Sequence, residues 1–367
     1  MKSHLQIHRI ETHTDEWYDF RMNGIGGSEM ATVLGINKYD TAVRLYHEKI
    51  GTIAQRKEDS ERMFWGRTNE DIIAKIWQYY DGSKDGYIEN YKNDKIVRTC
   101  RRINGYVTHP DYPWLIASLD RVINIKDGFN LITGEPLQTE AVLECKNLGY
   151  WMSQMWQDGI PIYFLVQIHV YMLILETDYA EIAMLVDGGN FVVEKVMRDE
   201  SLIERIVEIS KHFWYERVLP GKEARQRRDM ADAEGNLSEI DRMDAIIQRL
   251  EPDPDDTEAY KDFMEEKFLK ERVQVDGNMQ LYHMARKDSF LMQMKNRIDS
   301  ERSRVKNTFI QFMSRFGAEV VDFGKLGTVT WQESKGKASR TFYNRIKDKP
   351  GEDYIDQEFN KLDYNNY

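Results

Sequence analysis

Charged side chains inside a strand-like stretch are the strongest chemical signal in this sequence. Residues 142–147 read Val-Leu-Glu-Cys-Lys-Asn, and alternate residues of a strand face the same side. Glu144 and Lys146 should therefore project together, while Cys145 points the other way into apolar packing. Such charges are costly in an apolar strand unless they meet water, a metal or each other. The pattern predicts either a functional pair or a surface ion pair on an edge strand.

A second carboxylate lies within reach of this pair if two predicted strands are neighbours. Residues 115–125 and 140–147 read as a hairpin with a long loop, and Asp120 lies in the first of these strands. Asp120 would then converge on Glu144, and two carboxylates plus a backbone carbonyl form a hard oxygen site suited to Mg²⁺ or Mn²⁺. Lys146 would orient or deprotonate a water and offset charge on a phosphoryl oxygen.

Two predicted helices carry polar residues that could complete this site. A helix over residues 64–80 contains Glu70, beside a small glycine that permits close packing. A long apolar helix starts at Pro161 and places Gln167 and Tyr171 four residues apart, on one face. A buried amide and phenol need hydrogen-bond partners. The Gln167 amide and the Tyr171 phenol must therefore find partners within the protein.

The amino-terminal part contains a pattern typical of anion binding. A Gly26-Gly27-Ser28 turn would expose backbone N–H groups, with Ser28 capping a short helix that ends near Gly35. Arg21 would add a forked cation. The alternative is an ordinary helix cap beside a surface arginine.

The order of the elements predicts an α/β fold whose sheet is covered on both faces. We assign residues 1–219 to this domain and residues 220–235 to a charged linker broken at Pro220–Gly221. Residues 236–318 read as a helical hairpin or coiled-coil appendage, and residues 319–367 as a small β-hairpin followed by a tail.

Two smaller patterns have structural and functional alternatives. An apolar stripe with steps of three, four and seven is expected to be the buried seam of the helical appendage; it comprises Leu291, Met294, Ile298, Val305, Phe309, Phe312 and Phe316. Three nearby arginines could line the wall of a nucleic-acid groove: Arg98, Arg101 and Arg102.

Composition excludes several classes of protein. The 367 residues are 41% hydrophobic and 12% aromatic, enough for a packed core, and we expect no membrane span and no secretory signal. Two cysteines cannot form a disulfide framework or a four-thiolate metal site, which favours a reducing, cytoplasmic location. The net charge of −11 argues against non-specific polyanion binding, but not against an enzyme with a local cationic cleft.

Taken in order, these residues resemble the PD-(D/E)XK nuclease superfamily, in its phage λ-exonuclease and YqaJ-type viral recombinase branch. The resemblance implies a restriction-endonuclease-like core, a mixed central β-sheet flanked by helices. It assigns metal binding to Asp120, Glu144 and the Cys145 carbonyl, activation of water to Lys146, support to Glu70 and Gln167, and substrate binding to Arg21, Ser28 and Tyr171.

The resemblance also implies a function. It indicates a Mg²⁺-dependent deoxyribonuclease, with Mn²⁺ able to substitute, that digests double-stranded DNA ends from 5′ to 3′ during phage recombination. A single-strand annealing protein would be its partner, a homo-oligomer such as a trimer its assembly, and the cytoplasm of a bacterial host its location. An endonuclease of the same chemistry, an RNA substrate and a non-catalytic phage DNA-binding or assembly module remain alternatives.

Overall fold

The computed structural model describes residues 4–11, 14–55, 60–83, 85–156, 159–268, 276–333 and 340–346. The strands are β1 (Gln6–His8), β2 (Ile25–Gly26), β3 (Cys100–Arg101), β4 (Tyr106–His109), β5 (Tyr112–Ala117), β6 (Arg121–Ile123), β7 (Ala141–Leu148), β8 (Tyr179–Val186), β9 (Asn190–Met197), β10 (Val320–Asp322), β11 (Gly327–Glu333) and β12 (Arg340–Ile346). The α-helices are α1 (Asp15–Arg21), α2 (Met30–Val33), α3 (Ala42–Lys49), α4 (Glu61–Trp77), α5 (Gly86–Lys92), α6 (Tyr150–Gln154), α7 (Ile162–Leu175), α8 (Glu200–His212), α9 (Leu219–Glu234), α10 (Leu237–Arg249), α11 (Glu258–Phe268) and α12 (Met279–Phe316).

A mixed five-stranded sheet organises the first part of the chain. Its strand order is β3-β6-β7-β8-β9, with β7 and β8 parallel and the other neighbours antiparallel. Strands β6 and β7 form the expected hairpin, in which Arg121 lies opposite Leu143. A smaller sheet with the order β1-β4-β5-β2 lies in the same part of the chain. The expected α/β class with a mixed central sheet is confirmed.

Strand β7 is covered by a helix on each face, because its sequence alternates. Leu143 and Cys145 pack in one apolar cluster with Ile73 and Trp77 of α4. Val142, on the opposite face, packs in the main core, which also contains most of α7. Since α7 is buried along Val166–Leu175 except at Gln167, its polar side chains face protein groups. The predicted helices near Glu70 and after Pro161 are both present.

The predicted break at Pro220–Gly221 is wrong. Helix α9 runs through these residues, with Pro220 in its first turn, and a π-helical segment (Phe213–Val218) joins it directly to α8. Gly221 is a packing residue: a Cβ atom there would lie 2.7 Å from the Tyr46 hydroxyl. The helix ends at Gly235, whose φ of 70° suits a glycine cap. The segment expected to be a linker is therefore helical.

The chain divides into two compact units, residues 1–270 and 271–367. The first unit includes α10, whose Met243 and Ile247 are buried in the main core, although sequence reasoning placed α10 in the appendage. The second unit contains α12 and the three-stranded sheet β10-β11-β12. Strands β10 and β11 form the expected hairpin around Gly324–Leu326. None of the described helices is long and apolar enough to cross a membrane.

The expected buried seam of α12 is largely exposed. The exposed fractions are 53% for Ile298, 57% for Val305, 50% for Phe312 and 71% for Phe316. A period of three and four predicts which residues share a helix face, but not whether another element covers that face. The apolar stripe is therefore exposed to solvent along much of α12.

Arg98 is a structural residue, so its assignment to a groove wall is wrong. Its guanidinium makes two hydrogen bonds to Glu181, at 2.6 and 2.9 Å, and both side chains are fully buried. Trp77 Nε1 and the Tyr179 hydroxyl donate to the same carboxylate, at 2.7 and 2.8 Å. Arg101 instead forms an exposed pair with Glu140.

Replacing Arg98 with methionine should lower the free energy of unfolding by about 3–5 kcal/mol, because Glu181 would remain buried without its cationic partner. Urea unfolding followed by circular dichroism measures this change. The matched control is Arg101→Met, for which we expect about 1 kcal/mol or less. Equal losses in the two variants would contradict the structural role of the buried pair.

Candidate active site

Glu144 and Lys146 project from the same face of β7, as their spacing predicted. Lys146 Nζ donates to Glu144 Oε1 at 2.6 Å, and Glu144 is buried. The pair is not a surface ion pair, because β7 lies in the middle of the sheet between β6 and β8. Strand β6 pairs with β7 only from Arg121, opposite Leu143, to Ile123, so β6 does not pair with the part of β7 that follows Leu143.

Asp120 lies beside this unpaired part of β7, in the residue before β6. Its Oδ2 accepts a hydrogen bond from the Cys145 backbone N–H at 2.8 Å. The N–H and C=O groups of one strand residue point to the same edge of the strand. The Cys145 carbonyl therefore faces the edge on which Asp120 lies, and the structure brings the three predicted metal ligands together.

The carboxylates of this site destabilise one another. Burial, followed by the charges of Asp120 and Glu70, raises the pKa of Glu144 to about 8. Burial, followed by the charge of Asp120, raises the pKa of Glu70 to about 7, and burial raises the pKa of Asp120. Among the described residues Glu144 Oε2 has no hydrogen-bond partner, although it is buried. An all-oxygen donor set with an unpartnered oxygen and excess negative charge fits a hard divalent cation.

Gln167 and Tyr171 form the inner wall of the site. Gln167 Nε2 donates to Glu144 Oε1 at 2.7 Å and to the Tyr171 hydroxyl at 3.1 Å. Tyr171 is only 3% exposed, and its ring packs so closely on Gly27 that a Cβ atom there would lie 2.4 Å from Cε1. The contacts of Tyr171 are therefore those of a residue that positions Gln167 and the Gly26–Gly27 turn.

Glu70 approaches the carboxylates from α4, where it is half-buried. Arg102 Nη2 donates to Glu70 Oε2 at 3.0 Å. Of the three arginines that could line a groove wall, Arg102 is therefore the one that lies beside the carboxylates. The adjacent Asp71 pairs with Arg121. These two ion pairs connect α4 to the strands that carry Asp120.

Arg21 and Ser28 line the same cavity as the carboxylates. This cavity has a volume of about 420 Å³ and is also lined by Asp120, Glu144 and Lys146. Ser28 lies inside the 3₁₀ segment Gly27–Glu29 and does not cap it; the cap position is Gly26. The expectation of a Ser28 cap is therefore wrong, although its place beside the carboxylates is as predicted.

Glu29 is a residue that sequence reasoning missed. Its carboxylate accepts hydrogen bonds from Arg21 at 2.7 Å and from the Gly26 N–H at 2.8 Å, and pairs with Lys49 at 2.8 Å. Burial raises its pKa, but Lys49 and Arg21 outweigh burial and lower it to about 2. The spacing of Glu29 three residues after Gly26 is that of a capping box, and this signal could have identified it. Glu29 fixes the orientation of Arg21 at the cavity.

A second cavity joins the first across the carboxylates. It has a volume of about 530 Å³, shares Glu70 and Asp120 with the first, and extends past Arg9 and Arg102. Asp120 therefore lines both cavities, and each cavity also has an arginine of its own in its lining: Arg21 in the first, and Arg9 and Arg102 in the second.

Three residues that do not line the carboxylate cavity lie close enough to one another to hold a metal ion. His4, His109 and Glu176 have ligand atoms within 4.8 Å of one another. However, the Asp111 N–H donates to His109 Nδ1, so that Nε2 of a neutral His109 carries the proton and donates to Glu176 at 3.0 Å. The arrangement is that of a hydrogen-bonded pair.

Comparison with known proteins shows what the part of the chain that holds the carboxylates is similar to. Residues 16–180 match the family described as the YqaJ-like viral recombinase domain. The protein YqaJ of Bacillus subtilis (strain 168) is 32% identical over 215 residues, which cover 58% of this chain and 59% of the relative. The chain thus spans less than two thirds of that relative.

Two solved exonucleases share a weaker similarity of fold. An alkaline exonuclease from Laribacter hongkongensis is 16% identical with a TM-score of 0.44, covering 59% of this chain and 98% of that one. A phage related exonuclease from Haemophilus somnus 129PT is 12% identical with a TM-score of 0.34, covering 51% and 90%. The match over residues 16–180 contains the carboxylates, Lys146, Gln167 and the Arg21 turn, so the part of the chain that holds the candidate site is similar to the YqaJ-like viral recombinase domain.

Proposed function

We propose that this protein is a divalent-metal-dependent deoxyribonuclease that hydrolyses phosphodiester bonds. The observation that carries the proposal is the cluster of Asp120, Glu144 and Lys146, in which Glu144 is buried and its Oε2 has no hydrogen-bond partner among the described residues. Asp120, Glu144 and the Cys145 carbonyl would hold Mg²⁺, with Mn²⁺ as a substitute. The ion would lower the pKa of a bound water and stabilise charge on a phosphoryl oxygen.

Each side chain of the cluster has a specific task in this mechanism. The Lys146 ammonium donates hydrogen bonds to the attacking water and to a phosphoryl oxygen as negative charge develops there. Gln167 holds Glu144 Oε1 in place at 2.7 Å. Glu70, fixed by Arg102, accepts a hydrogen bond from water at the edge of the site. The attacking water gives a proton to solvent as its oxygen forms the new bond to phosphorus. The bond from phosphorus to the 3′ oxygen of the neighbouring nucleotide breaks, and that oxygen takes up a proton from solvent.

We further propose that the substrate is an end of double-stranded DNA, digested from 5′ to 3′. Arg21 and Ser28 line the carboxylate cavity, and a terminal 5′-phosphate bound by them would have the first phosphodiester bond near Asp120. The cavity that continues past Arg9 and Arg102 would receive the rest of the strand. The product would be a 3′ single strand, the substrate of an annealing protein in phage recombination.

Replacing Lys146 with alanine should reduce turnover about 10²–10⁴-fold, because a positioned hydrogen-bond donor and proton-transfer group is lost. DNA affinity measured in EDTA should change less than about threefold, since most DNA affinity comes from other phosphate contacts. Release of label from a linear duplex, with Mg²⁺ or EDTA, measures turnover.

Lys211→Ala, which removes an exposed lysine of α8, is the matched control and should retain full turnover. Hydrolysis by purified Lys146→Ala at the rate of the unchanged protein would refute the site. Cutting of covalently closed circular duplex by the unchanged protein would instead identify an endonuclease of the same chemistry.

Replacing Arg21 with glutamine should remove the preference for phosphorylated 5′ ends. A charge-assisted hydrogen bond contributes about 1.5–3 kcal/mol, so the rate ratio of phosphorylated to hydroxyl ends should fall by roughly 10- to 100-fold. Because Arg21 also binds Glu29, thermal unfolding of the variant must be measured alongside digestion.

Ser28→Ala separates the two effects, since no hydrogen bond of the Glu29 cluster involves the Ser28 side chain in the described contacts. It should lower the same ratio by a smaller factor without changing the unfolding temperature. Equal digestion of both kinds of end by the unchanged protein would count against the 5′-to-3′ direction.

A further inference from the structure

Helix α12 carries a positive charge that contrasts with the rest of the chain. Its sequence contains eight Lys and Arg residues against three Asp and Glu residues, a net charge of +5, in a chain whose net charge is −11. Nearly all residues of the helix are exposed. A local excess of this size on one element indicates a polyanionic partner.

Seven of the eight basic residues of α12 lie in two rows. At 100° per residue, four arginines fall within about 20° of one line that is about 43 Å long: Arg286, Arg297, Arg304 and Arg315. A second row lies roughly half a turn away around the helix and consists of Lys295, Arg302 and Lys306. Asp299 and Glu301 pair with Arg302 and Arg304. Among the described residues, Arg286, Arg297 and Arg315 form no ion pair.

An exposed apolar face separates the two rows. It contains Ile298 and Val305, which are 53% and 57% exposed, and it continues to Phe312 and Phe316. A cavity of about 950 Å³ runs beside this part of the helix. The described residues that line it all belong to α12. The apolar side chains of Ile298, Val305 and Phe309 lie between Arg297 of the first row and Arg302 of the second. Asp299 and Glu301 also line the cavity.

We propose that α12 binds single-stranded DNA along this face. A single strand offers phosphates to cationic side chains and unstacked bases to apolar or aromatic ones, and both kinds of contact contribute to its binding by proteins. A duplex hides its base faces by stacking, so it would leave the apolar face in water. The choice of DNA as the polyanion rests on the proposed nuclease activity, whose product is a single strand.

The test compares variants of the full chain in EDTA, so that no DNA is digested. One variant replaces the three arginines that form no ion pair with a described residue: Arg286→Gln, Arg297→Gln and Arg315→Gln. A second alters the apolar face: Ile298→Ser and Val305→Ser. The control makes the same change of charge at exposed residues of the first unit: Lys92→Gln, Arg205→Gln and Lys211→Gln. Binding of fluorescent oligo(dT) and of a duplex is measured by anisotropy over a range of salt concentrations.

The arginine variant should bind oligo(dT) about tenfold more weakly or worse, and its slope of log K against log salt should fall by about 2, since each lost phosphate contact on a single strand accounts for about 0.7. The Ile298 and Val305 variant should lose affinity for oligo(dT) but not for the duplex. The control should stay within about twofold of the unchanged protein.

Unchanged affinity and slope in the arginine variant would overturn the proposal, as would a stronger effect of the apolar changes on duplex than on oligo(dT). Sedimentation velocity without DNA supplies a further outcome: if the apolar changes alter the oligomeric state and leave DNA binding intact, the face is a protein interface. Binding of oligo(dT) that depends on α12, without any hydrolysis in Mg²⁺, would uphold this proposal and refute the nuclease. Hydrolysis in Mg²⁺ without α12-dependent binding of oligo(dT) would support the nuclease and refute the proposal for α12.

Discussion

The candidate site depends on one constraint: three carboxylates, those of Asp120, Glu144 and Glu70, are held close together where little water reaches them. Burial raises the pKa of Asp120, Glu144 and Glu70, and the charge of Asp120 raises the pKa of Glu144 and of Glu70 further. Lys146 offsets part of this charge, but Glu144 Oε2 still has no partner among the described residues. A divalent cation would relieve both the repulsion and the missing contact, which explains why the fold can retain such a cluster.

The sheet supplies the geometry that this cluster requires. Because β6 pairs with β7 only along Arg121–Ile123, Asp120 can meet the Cys145 N–H just beyond the paired stretch. The alternation of β7 turns Glu144 and Lys146 to the face covered by α7. Helix α7 then places Gln167 against Glu144. The same helix, through Tyr171, packs on Gly27 and so connects the carboxylates to the turn that carries Arg21.

The sequence predicted the parts of this arrangement that depend on local periodicity. The pairing of Glu144 with Lys146 follows from a period of two, and that of Gln167 with Tyr171 from a helical turn. Contacts between distant segments could not be read in this way: Arg98 looked like a neighbour of Arg102, yet it is buried against Glu181. Likewise, Gly221 next to Pro220 predicted a helix break, but the structure shows that a glycine is needed there because a Cβ atom would collide with the Tyr46 hydroxyl. The stripe of α12 was predicted correctly as a face, but its exposure depends on what packs against it.

The most direct test of the central claim is a crystal structure of the protein soaked in Mn²⁺, with data collected at the manganese absorption edge. The account predicts an anomalous peak about 2.0–2.4 Å from carboxylate oxygens of both Asp120 and Glu144 and from the Cys145 carbonyl oxygen. The peak should be absent from Asp120→Asn crystals grown and soaked in the same way. A Mn²⁺ peak elsewhere, with none between these two carboxylates, would contradict the account.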